Sequence, residues 1–138
     1  MKTSFDLNAI LFKCLNTNSA FKSALSGGVY SSERPDNSEK EDAVVNTITV
    51  TREYSPQRGR SNVNIFVPDL RVSIEGVEQR KPNEARLKAL SDLAISAIET
   101  ERKEGISLYI ANMGVINEPE IDQHFVNLRI DWIIYTKS

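Results

Sequence analysis

One cysteine, one histidine and one tryptophan occur in 138 residues, and the first two scarcities each exclude a kind of chemistry. A lone thiol, Cys14, forms no internal disulfide and supplies no multi-cysteine metal site. With His124 the only imidazole, an H-E-x-x-H zinc motif is impossible, and no G-x-S-x-G nucleophile turn is present. Gly27-Gly28 lacks the following Gly, Lys and Ser/Thr that would wrap a phosphate. No stretch approaches the about 18 consecutive apolar residues of a membrane-crossing helix. Asp6 interrupts what would be the apolar part of a signal peptide, and no small-residue cleavage pattern follows, so an intracellular protein is expected. Seventeen Lys and Arg against 19 Asp and Glu leave a formal charge of −2, with no overall pull toward nucleic acid or anionic lipid.

What remains is an ordinary globular composition, 40% apolar and 26% charged, and a length suited to a single domain spanning 1–138. Thr3-x-x-Asp6 forms a capping box ahead of Leu7, Ile10, Leu11, Cys14 and Leu15, which recur at helical spacing. A short second helical turn carries Phe21, Ala24 and Leu25 up to Gly27-Gly28, and Val29 and Tyr30 follow as extended chain. Residues 31–42 (SSERPDNSEKED) have no apolar anchor beyond Pro35 and predict an exposed acidic loop. Residues 43–52, rich in Val, Ile and Thr, predict a strand. A basic turn over 54–61 then leads to a second strand in which Val63, Ile65 and Val67 alternate with Asn62, Asn64 and Phe66 until Pro68, completing a long hairpin. Residues 69–79 are ambiguous, with Val72, Ile74 and Val77 at strand spacing around Gly76.

Asn83 is placed to cap a helix whose stripe is Leu87, Leu90, Leu93, Ala94, Ala97 and Ile98, with Gly105 as its end. Residues 106–116 and 123–136 read as two strands around the turn 117–120, the second alternating Val126, Leu128, Ile130, Trp132 and Ile134 with Asn127, Arg129, Asp131 and Ile133. The predicted class is α+β: a mainly antiparallel sheet of about 4–5 strands, covered on one face by the N-terminal and central helices.

Few residues invite chemistry. Glu118, Glu120, Asp122 and His124 alternate and would share one face of a strand, as metal ligands would, although one histidine beside a Pro-containing acidic turn is better explained as a polar hairpin turn entering the final strand. Cys14 lies on an apolar helix face, the setting of a structural thiol. Charge patterning is more informative. The loop 31–42 is net negative through Glu33, Asp36, Glu39, Glu41 and Asp42 against Arg34 and Lys40, whereas Arg52, Arg58 and Arg60 against Glu53 make the hairpin turn net positive. Two such surfaces suit a contact between subunits, or else are solvated loop; a nucleic-acid arm at Gln57-Arg58-Gly59-Arg60 has only three arginines behind it.

The element order, with the segments Gly27 to Tyr30 and Arg34-Pro35, Glu41 to Asn46, Pro56 to Gly59 leading into Asn62 to Asp69, and His124 to Ile130, resembles the tail-terminator (tail-completion) and head-tail joining proteins of long-tailed phages and prophages. The resemblance covers most of the chain. It implies a non-enzymatic virion-assembly protein without a cofactor, an oligomeric ring, commonly sixfold, that ends the tail tube or joins head to tail. It further implies tail-tube and head-completion proteins as partners, no membrane or nucleic acid among them, and a cytoplasmic stage before incorporation in the virion. Glu39, Glu41, Asp42, Arg52, Arg58 and Arg60 are the expected interface residues. Two alternatives stand beside it: a small nucleic-acid-binding or regulatory module using Arg58 and Arg60, and a ligand-binding or enzymatic domain with a pocket near His124.

Overall fold

In the computed structural model, residues 1–52 and 55–135 are described; Glu53 and Tyr54 of the expected basic turn, and Thr136 of the expected last strand, lie outside the described residues. The chain begins with α1 (Ser4–Thr17), whose capping box is formed as the sequence predicts: the Thr3 amide donates to Asp6 Oδ2 at 2.7 Å and the Asp6 amide to Thr3 Oγ1. The Thr3 amide, and then the Thr3 hydroxyl, both donating to Asp6 Oδ2, hold its carboxyl below the ordinary pKa. A six-residue α2 (Ser19–Ala24), capped by Asn18, leads into β1 (Val29–Ser31). β2 (Asp42–Val50), β3 (Gln57–Pro68), β4 (Leu70–Ile74) and β5 (Val77–Lys81) follow. α3 (Glu84–Thr100) is capped by Asn83, which accepts from the Arg86 amide. The helix ends at Thr100; Gly105, at φ 75°, instead shapes the turn into β6 (Ile106–Glu118). A single 3-10 turn, Pro119–Ile121, connects to β7 (Gln123–Ile134).

Five strands form one sheet in the order β1-β2-β3-β7-β6, antiparallel except for the parallel β1–β2 pair, so the α+β class is as predicted. The period-two pattern sets the register. Val63 lies opposite Leu128 and Ile65 opposite Val126, which puts their side chains on the same face. That face is covered by α1 through Leu7, Leu11, Cys14 and Leu15, and by α3 through Leu87, Leu90, Ala94, Ala97 and Ile98. Each fully buried Leu or Ile contributes roughly 1.5–3 kcal/mol by leaving water. Trp132 is fully buried in this core, and its indole N–H donates to Ser61 Oγ at 2.9 Å; Ser61 in turn bonds Thr47 Oγ1 at 2.8 Å, so one polar thread crosses β7, β3 and β2.

The ambiguous stretch after Pro68 is a separate two-stranded ribbon, β4–β5, turned by Glu75 and Gly76 at φ 53° and 79°. Two consecutive left-handed residues belong to the tight hairpin turn that matches strand twist, and glycine takes one of them without steric penalty.

Candidate assembly surfaces

The acidic loop is not uniformly exposed, and this corrects two of the expected interface residues. Asp42 is buried: its Oδ1 accepts from the Gly28 amide at 3.0 Å, and its Oδ2 from Ser38 Oγ at 2.5 Å and Arg34 Nε at 2.9 Å. Arg34 also reaches Gln123 Oε1 at 2.7 Å and the Lys40 carbonyl at 2.9 Å, and its guanidinium lies 4.3 Å above the Phe66 ring. Glu41 is claimed by Arg86 through two bonds of 2.7 and 2.6 Å, which hold the guanidinium firmly protonated. Both carboxylates therefore close the loop onto the body instead of facing outward. Glu39 stays exposed, with Glu33 and Asp36.

The basic segment is likewise placed differently. β3 begins at Gln57, so Arg58 and Arg60 lie within a strand paired on both sides, not in a free turn. Gln57 explains why: its buried side chain donates to the Lys2 carbonyl at 3.0 Å and the Thr51 carbonyl at 2.6 Å and accepts from the Lys2 amide at 2.8 Å, clamping the strand start. Gly59 is there for space, since a Cβ would stand 2.8 Å from Leu7 Cδ2. Arg58 and Arg60 project from the sheet face opposite the helices; Arg60 forms a partly exposed pair with Asp131 at 3.2 Å, and Arg52, beyond β2, is exposed.

That open face carries features which sequence reasoning missed. Asn64 and Asn127, opposite each other, share a 2.7 Å hydrogen bond, and Phe66 and Phe125 stack with centroids 4.8 Å apart. Asn62 and Arg129 are also opposite, and their Oδ1 and Nε atoms are buried without a hydrogen-bond partner among the described residues. The alternation of Asn62, Asn64, Asn127 and Arg129 was visible in the sequence; that β3 and β7 are neighbours was not.

The residues around His124 do not assemble. Glu118 ends β6, Glu120 lies in the 3-10 turn, Asp122 takes a left-handed conformation and only His124 is in β7, so the expected shared strand face does not exist. His124 Nδ1 is instead 2.6 Å from the buried Asp69 Oδ1, a tie between the base of the ribbon and the sheet. No group of three metal-ligating side chains is present among the described residues, and no described helix is long and apolar enough to cross a membrane.

Cys14 faces the Ala97 carbonyl at 3.4 Å, and burial pushes its thiol up to about 12, with Glu101 adding to the effect. Native protein at pH 8 should therefore react with a disulfide reagent far more slowly than unfolded chain. Between pH 9 and about 12 the unfolded thiol ionises while the folded one does not, so this group's contribution to stability is lost as pH rises through that window. Equal labelling rates in buffer and in urea would overturn the assignment.

No protein-family model matches the chain, and no curated protein does. Among solved structures, a chain of the "Virion of native gene transfer agent (GTA) particle" is similar over 94% of this chain and 95% of its own, with a TM-score of 0.65 and 11% sequence identity. The likeness runs nearly end to end on both sides, and at that identity it establishes a shared fold.

Proposed function

We propose that this chain is a non-enzymatic structural protein of a phage-like virion, acting as an oligomeric ring subunit that ends the tail tube or joins head to tail. The observation that carries this reading is the end-to-end fold match to a virion chain, in which neither protein has a large segment left over. The sequence resemblance points the same way. Arg52, Arg58 and Arg60 supply exposed positive charge along one side of the sheet, and Glu39 supplies negative charge on the loop. These four are the proposed residues for contact with tail-tube or head-completion proteins; surface charges of this kind set orientation and encounter rate more than affinity.

The nucleic-acid alternative is weaker on this geometry, because Arg58 and Arg60 are fixed in a paired strand and Arg60 already has Asp131. The test is to express the complete particle gene set with and without this chain. Without it, heads and tails should accumulate unjoined or with irregular tail ends in electron micrographs, and Arg58→Glu with Arg60→Glu should reproduce the defect in part, more strongly at low salt. Normal joined particles, or absence of the chain from density-purified particles, would sink the reading.

A further inference from the structure

β6 is the longest strand and an edge. Among the described residues it pairs with β7 on one side only, leaving its outer row of amides and carbonyls without strand partners. From Ile106 to Asn117 it contains no charged residue and no proline, the usual devices by which an edge is protected, and only one irregularity, between Ile110 and Asn112, interrupts its register. The opposite edge is short: its strand, β1, has three residues. Along β6, Tyr109, Met113, Val115 and Ile116 are exposed, Val115 at 56%. Beside its second half lies a groove of about 400 Å³ against α3, lined by Leu87, Met113, Val115 and Val126 with Glu84 and Asp92 among its polar residues.

The β4–β5 ribbon presents the matching problem. Among the described residues its strands pair only with each other, and a lone two-stranded ribbon is marginal in water. Leu70, Ile74 and Val77 are exposed, Val77 at 60%. Its base is nonetheless built, through Asp69 N–H to the Asp122 carbonyl at 2.9 Å and an Arg80–Asp122 pair at 3.6 Å.

We propose that the β4–β5 ribbon of one copy docks on the β6 edge and its adjoining groove in a second copy. The fit is one of shape, polarity and charge. Each ribbon strand has five residues, about 17 Å, the span of Asn112 to Ile116 beside the groove. The ribbon is net positive, with Arg71, Arg80 and Lys81 against Glu75 and Glu78; the groove is net negative, with Glu84 and Asp92 against Lys88. Backbone pairing along the edge supplies affinity, and Val77 or Ile74 entering the groove supplies specificity. The two surfaces differ, so the contact is head-to-tail, and repeated copies close into a ring or extend as a file.

This contact deepens the ring element of the proposed function but can be tested apart from it. Val77→Asp on the ribbon and Val115→Asp in the groove change exposed side chains and should leave the circular dichroism spectrum intact. In sedimentation velocity the unaltered protein should associate as concentration rises, and either variant alone should weaken association by roughly tenfold or more, since each places a charge in a buried apolar contact. Mixed together, the two variants retain one good groove and one good ribbon, and should form a pair that stops at two copies. A protein that stays monomeric at every concentration, or a ribbon variant that associates like the unaltered chain, would overturn the proposal; a groove variant that fails while the ribbon variant associates normally would overturn it in favour of β6 pairing with β6 of another copy. An oligomer of this kind in a protein absent from particles would keep the contact and reject the virion role.

Discussion

Replacing Asp42 with alanine should lower unfolding free energy by about 3–5 kcal/mol, the range for removing one partner of a buried ion pair. The size follows from what is stranded. Arg34, whose side chain is 13% exposed, would keep its positive charge over the Phe66 ring without its carboxylate, and the buried Gly28 amide and Ser38 hydroxyl would lose their acceptor. Asp42→Asn, which preserves an oxygen for one donor while giving up the charge, should fall between the two. Gly27→Ala should behave like Asp42→Ala for a different reason: its Cβ would sit 2.6 Å from the Glu41 carbonyl and collide with the Asp42 carboxylate. Urea titration followed by the fluorescence of Trp132 reads all three. A loss below about 1 kcal/mol for Asp42→Ala would mean that the network behaves like an exposed surface pair.

The second large effect is expected at Trp132. Its side chain is fully buried in the core, so Trp132→Ala should cost about 3–5 kcal/mol through lost transfer energy and the cavity left behind. Trp132→Phe separates the two roles of the indole. It fills most of the volume but removes the donor to Ser61, whose hydroxyl still has Thr47, so a smaller loss of about 1–2 kcal/mol is expected. Far-ultraviolet circular dichroism against urea measures both variants. If phenylalanine proved as damaging as alanine, the polar thread across the three strands would outweigh the packing.

The sequence was most legible where a single period governed a segment. Val63, Ile65 and Val67, and the alternate positions from Val126 to Ile134, could be assigned to the core without knowing their neighbours, because a half-covered sheet demands that alternation. Asn83 and the Thr3–Asp6 box marked helix starts for equally local reasons. The acidic loop was misread at Glu41 and Asp42 because their partners, Arg86 and Arg34, are selected by the fold, and composition alone makes a polar run look like solvated loop. The basic turn was misplaced because Pro56 and Gly59 are both ordinary turn residues; Gly59 is small to admit Leu7 from α1, a tertiary reason no local pattern carries. The neighbourhood of Asn62 and Arg129 and the outer position of β6 depend on strand order, which periodicity does not encode.

Strand order also has a consequence for synthesis. β7 lies between β3 and β6 although it follows both in the chain. When a ribosome has delivered residues 1–122, three helices and six strands have been translated, yet β6 has no partner strand and the core residues of β7, Trp132 included, are still missing. Such distant pairings form late, since the chain entropy of closing them is lost before any contact compensates. Val126, one wall of the groove beside β6, arrives with the same strand. A nascent or interrupted chain therefore lacks the edge and groove of the proposed docking contact, which would restrict that contact to molecules whose translation has passed β7.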